Sequence, residues 1–216
     1  MKKINVLLLL CVGGFYFSQS VVLHDLNHSR LMSQVVNKIG VGELADDEYE
    51  GSPFLEKQFL PSAIKGENGV YLLRYNIYND EIILKKDDQY FKIPKDGVEY
   101  FNIDNNRYIL RLINGAYYIQ SSAEKGNYVI VRKETVKFTP AKAAGNAYEQ
   151  SRPAKFSANK PDYFLYNTEK KNITPLEKEE LKKLFPDKAA ELDQIFKKNK
   201  FKNTGDFNVL LNMISG

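Results

Sequence analysis

Between Val70 and Phe138 the chain passes through short runs rich in Tyr, Ile, Val and Leu, broken at near-regular intervals by Asn, Asp and Gly. VYLLRYN, EIILKK, QYFKIP, VEYFNI, RYILRLI, AYYIQSS, NYVIVRK and ETVKF read as strands. The breaks are Asn79-Asp80, Asp87-Asp88, Lys95-Asp96-Gly97, Asp104-Asn105-Asn106, Asn114-Gly115 and Lys125-Gly126-Asn127. Asn-Gly between alternating strands is a strong hairpin signal, because the tight turn that matches strand twist needs positive φ at both central residues. Connections this short cannot hold the helical crossovers that parallel strands require. The spacing therefore predicts an antiparallel β meander over residues 51–138, a curved sheet or small open barrel. Within RYILRLI, Tyr108, Leu110 and Leu112 share the face expected to be core, and Arg107, Ile109, Arg111 and Ile113 share a mixed face.

The stretch RYNIYNDEIILKK, residues 74–86, sets a carboxylate pair, Asp80 and Glu81, beside Tyr75, Tyr78 and Asn79. Glycosidases divide acid and nucleophile roles between two carboxylates, but those face each other across a substrate. Sequence neighbours on a strand point to opposite faces, and Asn79 and Asp80 suit a turn's left-handed backbone. The stretch thus reads as a hairpin. Tyr75, Tyr78, Asn79 and Asp80 form the candidate binding surface if the rings are exposed, and plain architecture if they are buried.

Residues 139–160 show neither helical nor strand period and are rich in Ala, Lys, Ser and Pro, which marks a linker. The part from 161 to 216 opens with a short hairpin, DYFLYN and KKNIT, and continues into three helices. Thr174-Pro175-Leu176-Glu177 has the form of a capping box with Pro at the first helical position. Leu181, Leu184 and Phe185, then Leu192, Ile195 and Phe196, then Phe207, Leu210, Leu211 and Ile214 supply the apolar faces. The fold class expected is α+β, a mainly antiparallel β region followed by a small helical end. Its lysine-rich outer side reads as a solvated face.

At the other end, MKKINVLLLLCVGGFYFSQS orders basic, apolar and small residues as a secretory signal peptide does over residues 1–20. No later run is long and apolar enough to predict a transmembrane helix in the mature chain. The one cysteine, Cys11, would leave with the peptide, so the mature chain has no disulfide. Removal of Lys2 and Lys3 lowers the formal net charge from +4 to +2, which argues against a nucleic-acid partner. Residues 21–50 carry a loose helical stripe ending at Ile39 and then the acidic run ELADDEYEG, read as a short helix and a flexible linker. The following piece, with its prolines and glycines, reads as a loop or edge segment.

Chemistry is limited by missing parts. The two histidines, His24 and His28, stand at helical i, i+4 spacing and are the candidate metal ligands, but no third His or mature Cys completes a zinc set. There is no G-x-S-x-G elbow and no Gly-rich phosphate loop, so neither a catalytic residue nor a cofactor is assigned. What remains is aromatic: the chain has 14 Tyr and 13 Phe but no Trp. Adjacent rings such as Tyr90-Phe91, Tyr100-Phe101 and Tyr117-Tyr118 place one ring on each side of a sheet, one for packing and one for packing or contact.

EGSPFLEKQF (50–59), LLRYNIYNDEI (72–82) and the tail from DYFLYN through ELKKLFPDKAAELDQIFKKNKFK resemble, as a group, a family of secreted or periplasmic proteins common in the Bacteroidota. The resemblance implies an envelope address and supplies no mechanism. The expected function is that of an exported, non-enzymatic envelope protein, periplasmic, outer-membrane-associated or extracellular, acting as an interaction module with a protein partner. The alternatives are an accessory protein that binds a ligand or glycan on Tyr rings of a curved sheet, and a carboxylate-dependent hydrolase.

Overall fold

The structure, a computed structural model, describes residues 38–39 and 49–216 apart from 97, 145, 147, 149 and 202. The signal-peptide segment 1–20, the His24/His28 pair and most of the 21–50 segment lie outside the described residues. The described parts of 21–50 are strands: β1 (Lys38–Ile39) and β2 (Tyr49–Glu50), where a helix end and a tether were expected.

The predicted strands form β4 (Tyr71–Asn76), β5 (Glu81–Lys86), β6 (Gln89–Ile93), β7 (Tyr100–Ile103), β8 (Tyr108–Ile113), β9 (Ala116–Gln120), β10 (Tyr128–Lys133) and β11 (Val136–Thr139). The turns work as their residues require. Asn114 and Gly115 have φ of 49° and 77°, and Ile113 pairs with Ala116 across them.

The piece that reads as a loop or edge segment contains an interior strand, β3 (Leu60–Ile64), which lies between β4 and β7 although it contains Pro61. Its insertion changes the meander. β3 to β6 run as hairpins, and the chain then crosses back so that β7 pairs with β3 rather than with β6. Val98, in that crossing, is buried in the core.

The large sheet has eleven strands in the order β1-β6-β5-β4-β3-β7-β8-β9-β10-β13-β14 and does not close. It is strongly curled. β4 and β9 are four positions apart in the order, which in a flat sheet at ~4.8 Å per strand separates them by roughly 19 Å. The rings of Tyr75 on β4 and Tyr117 on β9 nevertheless lie 5.8 Å apart, centre to centre. The curl wraps a core of Leu73, Tyr75, Ile82, Leu84, Phe101, Leu110, Tyr117 and Ile119, with Tyr108 and Leu112 packed against it.

The linker reading of 139–160 does not hold at 154–158, which form β12 (Ala154–Ala158) beside β11, with the two-residue β2 in parallel on the other edge. Beyond it, β13 (Asp162–Asn167) pairs with β10 from end to end and carries the large sheet into β14 (Asn172–Pro175). Thr174 and Pro175 are therefore ladder residues, and no capping box forms. The open edge of β13 offers Thr174 a partner in Leu165, and Leu176 N–H donates to the Tyr163 carbonyl at 2.9 Å. Tertiary pairing overrides the local cap. α1 (Lys178–Leu184) begins three residues later, at Glu177, with no side-chain cap.

A 3-10 turn at Pro186–Lys188 leads into α2 (Ala189–Lys198), and α3 (Thr204–Ser215) starts at Asn203, whose Oδ1 accepts the Asp206 N–H at 3.0 Å. Leu181, Leu192, Phe207, Leu210, Leu211 and Ile214 bury against Ile130 and Leu165 as expected, whereas Leu184 is exposed. Along β10 alternate residues take opposite sides. Ile130 goes under the helices, and Val129 and Val131 pack with Ile113 and Tyr166.

The outer face of β4 and β5 is covered by residues 51–59. The Arg74 guanidinium lies 3.6 Å from the Phe54 ring centre and 4.6 Å from that of Phe59, and its Nη1 donates to the Lys57 carbonyl at 2.8 Å. A desolvated cation on two rings, with a charge-assisted hydrogen bond, fastens this flap. Arg74→Ala is expected to cost about 2–4 kcal/mol in urea unfolding, and Arg74→Lys to recover less than half of it, because an ammonium lacks the planar stacking surface. Equal stability of Arg74→Lys and the parent would count against ring stacking as the source.

Candidate functional site

The loop from β4 to β5 has four residues, Ile77 to Asp80, with Asn76 opposite Glu81. Asn76 Oδ1 accepts the Asn79 N–H at 3.1 Å, and Asp80 closes the turn at φ 55°, a backbone value that short Asx residues tolerate. This turn divides the candidate residues into two groups. Tyr75 and Asp80 point into the mouth of the curl; Tyr78 and Asn79 are exposed.

The Asp80 carboxylate is a hub. It accepts hydrogen bonds from the Tyr75 hydroxyl at 2.7 Å, from Lys95 Nζ and Lys133 Nζ at 2.5 Å each, and from the Tyr117 N–H at 3.3 Å to both oxygens. Lys133 Nζ also donates to the Tyr117 carbonyl at 2.9 Å. A carboxylate has about four lone-pair sites, and these contacts occupy them. Burial raises the Asp80 carboxyl, but hydrogen bonds from Lys133, Lys95 and Tyr75 outweigh it and hold the group below the usual carboxylate range. Burial, followed by the hydrogen bond and charge of Asp80, pushes the Tyr75 hydroxyl far up, and burial with the Asp80 charge does the same to Tyr117.

This arrangement is chemically static. An ionised carboxylate with filled lone pairs is a poor general acid and has no position left for a substrate proton. The upward shift of the Tyr75 and Tyr117 hydroxyls disfavours either as nucleophile or base. Glu81 lies apart, paired with Lys92 Nζ at 3.2 Å, so the two carboxylates do not share a site.

Tyr78 is half exposed and joins a different assembly. Its ring centre is 5.3 Å from that of Phe156 and 6.2 Å from that of Phe138; Phe138 and Phe156 are 4.8 Å apart, and Tyr49 meets Phe156 at 4.8 Å. These residues come from β11, β12 and β2, the three-stranded sheet. Its aromatic face rests on the tip of the β4–β5 turn, and its other face carries Lys137, Thr139 and Lys155. Gly51, at φ 79°, lets the chain leave β2 against β12; a Cβ there would collide with the Phe156 carbonyl oxygen. Sequence analysis left open whether Tyr78 is exposed or buried, and it missed Phe138 and Phe156 as neighbours of Tyr78 and Tyr49 as a neighbour of Phe156. The β2–β12 pairing that brings Tyr49 to Phe156 joins Tyr49 and Ala154, far apart in sequence.

Compared with protein-family models, curated proteins and solved structures, the chain matches none.

Because the folded Asp80 carboxyl is lower than its unfolded value of about 3.9, it contributes fully to stability above that pH, and the contribution is lost as pH falls from there through the folded value. Urea midpoints measured from neutral pH down to strongly acidic pH are expected to fall less steeply for Asp80→Asn than for the parent. Near neutrality the variant is expected to be less stable by on the order of 2–4 kcal/mol. Parallel pH profiles would show that the hub does not contribute.

Proposed function

We infer that the protein is an exported, non-enzymatic component of the cell envelope that works as an interaction module, with the small three-stranded sheet as its contact surface. The observation that carries this reading is where the exposed rings lie. Tyr71, Tyr75 and Tyr117 are consumed by the core, whereas Tyr78 at 50% exposure and Phe138 at 38% stand together beside β11. β11 is the outermost strand of its sheet, and among the described residues no strand pairs with its other edge. Exposed aromatic side chains beside unpaired backbone favour contact with another chain.

The envelope address rests on the order of residues 1–20 and on the Bacteroidota resemblance. Among the described residues, no helix is long and apolar enough to cross a membrane. Asp80, the candidate acid of a hydrolase, is committed to Lys95, Lys133 and Tyr75, which weighs against that alternative. A second reading, capture of a small ligand, is favoured by one observation: a cleft of about 640 Å³ where β13 meets the end of α2, bordered by Tyr163, Phe164, Phe196 and Phe201. Its volume is within the range of small-molecule sites.

Photo-crosslinkable residues placed at Tyr78 and at Phe138 in the native host are expected to capture one envelope protein in stoichiometric yield. Combining Tyr78→Ala with Phe138→Ala is expected to weaken recovery of that partner by at least about tenfold, a modest loss for exposed aromatic anchors. No adduct at either position would sink the contact-surface reading. Mass spectrometry of the same material is expected to place the N-terminus near Val21, and an intact Met1 would overturn the export reading.

A further inference from the structure

The exposed edge of the small sheet also has a chemistry that selects what can pair with it. Lys137, Phe138 and Thr139 of β11 are all exposed, and alternate backbone N–H and C=O groups of an edge strand point away from its one neighbour. The β11–β12 ribbon extends past Pro140, since Lys142 and Arg152 exchange both backbone hydrogen bonds at 2.9 and 2.8 Å. A groove of about 650 Å³ follows this end of the ribbon. It is bordered by Arg152 and Lys155 and by the acid Glu50, and Lys137 adds a further base on the edge strand itself. Lys155 and Glu50 approach to 3.5 Å with both more than half exposed, so that pair is solvated and leaves the groove positive.

We propose that β11 receives an extended acidic polypeptide segment of a partner protein, which adds a strand to the edge at Val136–Thr139 and directs carboxylates at Lys137, Arg152 and Lys155. The proposal rests on the contact-surface reading above and names the partner's chemistry. A row of main-chain groups repeating every two residues, about 7 Å, is matched by another strand's main chain and not by a sugar. A second copy of this chain is disfavoured as occupant, because it would bring a second Lys137 and a second basic ribbon end to the edge, and in the antiparallel register centred on Lys137 the two lysines would oppose each other directly. Tyr78 and Phe138 supply apolar contact beside the strand, the usual division in strand addition between main-chain affinity and side-chain selectivity.

The test uses the full chain and fluorescence anisotropy with defined probes. These are a short synthetic peptide of alternating Glu and Val, its Lys and Val counterpart, and the Glu and Val peptide methylated at alternate backbone nitrogens. The acidic peptide is expected to bind, and both other peptides to bind at least about tenfold more weakly. Lys137→Glu with Lys155→Glu is expected to weaken binding by the same factor. Lys197→Glu with Lys198→Glu on α2, an equal change in charge away from the edge, is expected to leave binding within about twofold. Equal binding of the methylated peptide would overturn strand addition, as would equal loss from the α2 pair or full displacement by alginate, an anionic glycan. If no peptide binds while crosslinks form at Tyr78, the strand-addition proposal fails and the contact surface stands. Absence of both would remove the two together.

Discussion

One carboxylate holds distant parts of this fold in register. Asp80 sits at the tip of the β4–β5 turn, yet its hydrogen-bond donors come from the β6–β7 crossing, from β9 and from the end of β10. Lys95 stands opposite Asp80 in the extension of the β5–β6 ladder, but β9 and β10 would be far from it in a flat sheet, so the contacts with Tyr117 and Lys133 can form only when the sheet curls. Once formed, they penalise any flattening, because flattening would strand the Lys133 ammonium and remove one cation from the carboxylate. The same curl brings the rings of Tyr75 and Tyr117 together and lets a short chain segment pass from β6 to the far side of β3. Core packing and the polar hub are therefore satisfied by the same geometry.

That geometry also decides which candidate residues can meet a partner. Asp80 and Tyr75 are used up internally, and the turn that directs them inward directs Tyr78 outward onto the small sheet. Structural and contact roles are thus divided within one four-residue loop. The helical end plays the corresponding role at the other side of the sheet, where it covers the Ile130 and Leu165 face that β10 and β13 would otherwise expose. With residues 51–59 clamped over Arg74 and the helices over Ile130, β4 and β10 are covered on both faces, which explains why they are buried at successive positions instead of alternating.

The parts of this architecture that were legible in the sequence are those governed by short-range rules. Asn114-Gly115 and Asp87-Asp88 announced their turns because backbone sign is a property of a few residues, and the stripe of Phe207, Leu210, Leu211 and Ile214 announced α3. β3 was hidden because Pro61 and the neighbouring glycines imitate a loop, and only the open edges of β4 and β7 make it a strand. Thr174 to Glu177 misled in the opposite way: a sound local cap lost to a ladder on β13. At the candidate site, the hairpin was within reach of sequence, since Asn79 and Asp80 mark the tip. The exposure of Tyr78 was not, nor were Lys95 and Lys133 as partners of Asp80, because nothing local distinguishes these lysines from the others of a lysine-rich chain.

The placement of β3 has a consequence for the order in which the chain assembles. β3, β4, β5 and β6 can form as successive hairpins, but β7 reaches the second edge of β3 only after the chain has returned across the sheet, so a strand destined for the interior waits as an edge. Such a waiting edge is a template for pairing with other unfolded chains, a hazard for any protein while it folds. Pro61 withholds one amide from a strand of five residues, and so shortens the ladder that a stray chain could build on it. The residue that disguises β3 as a loop in the sequence thereby also guards it against aggregation while it waits for β7.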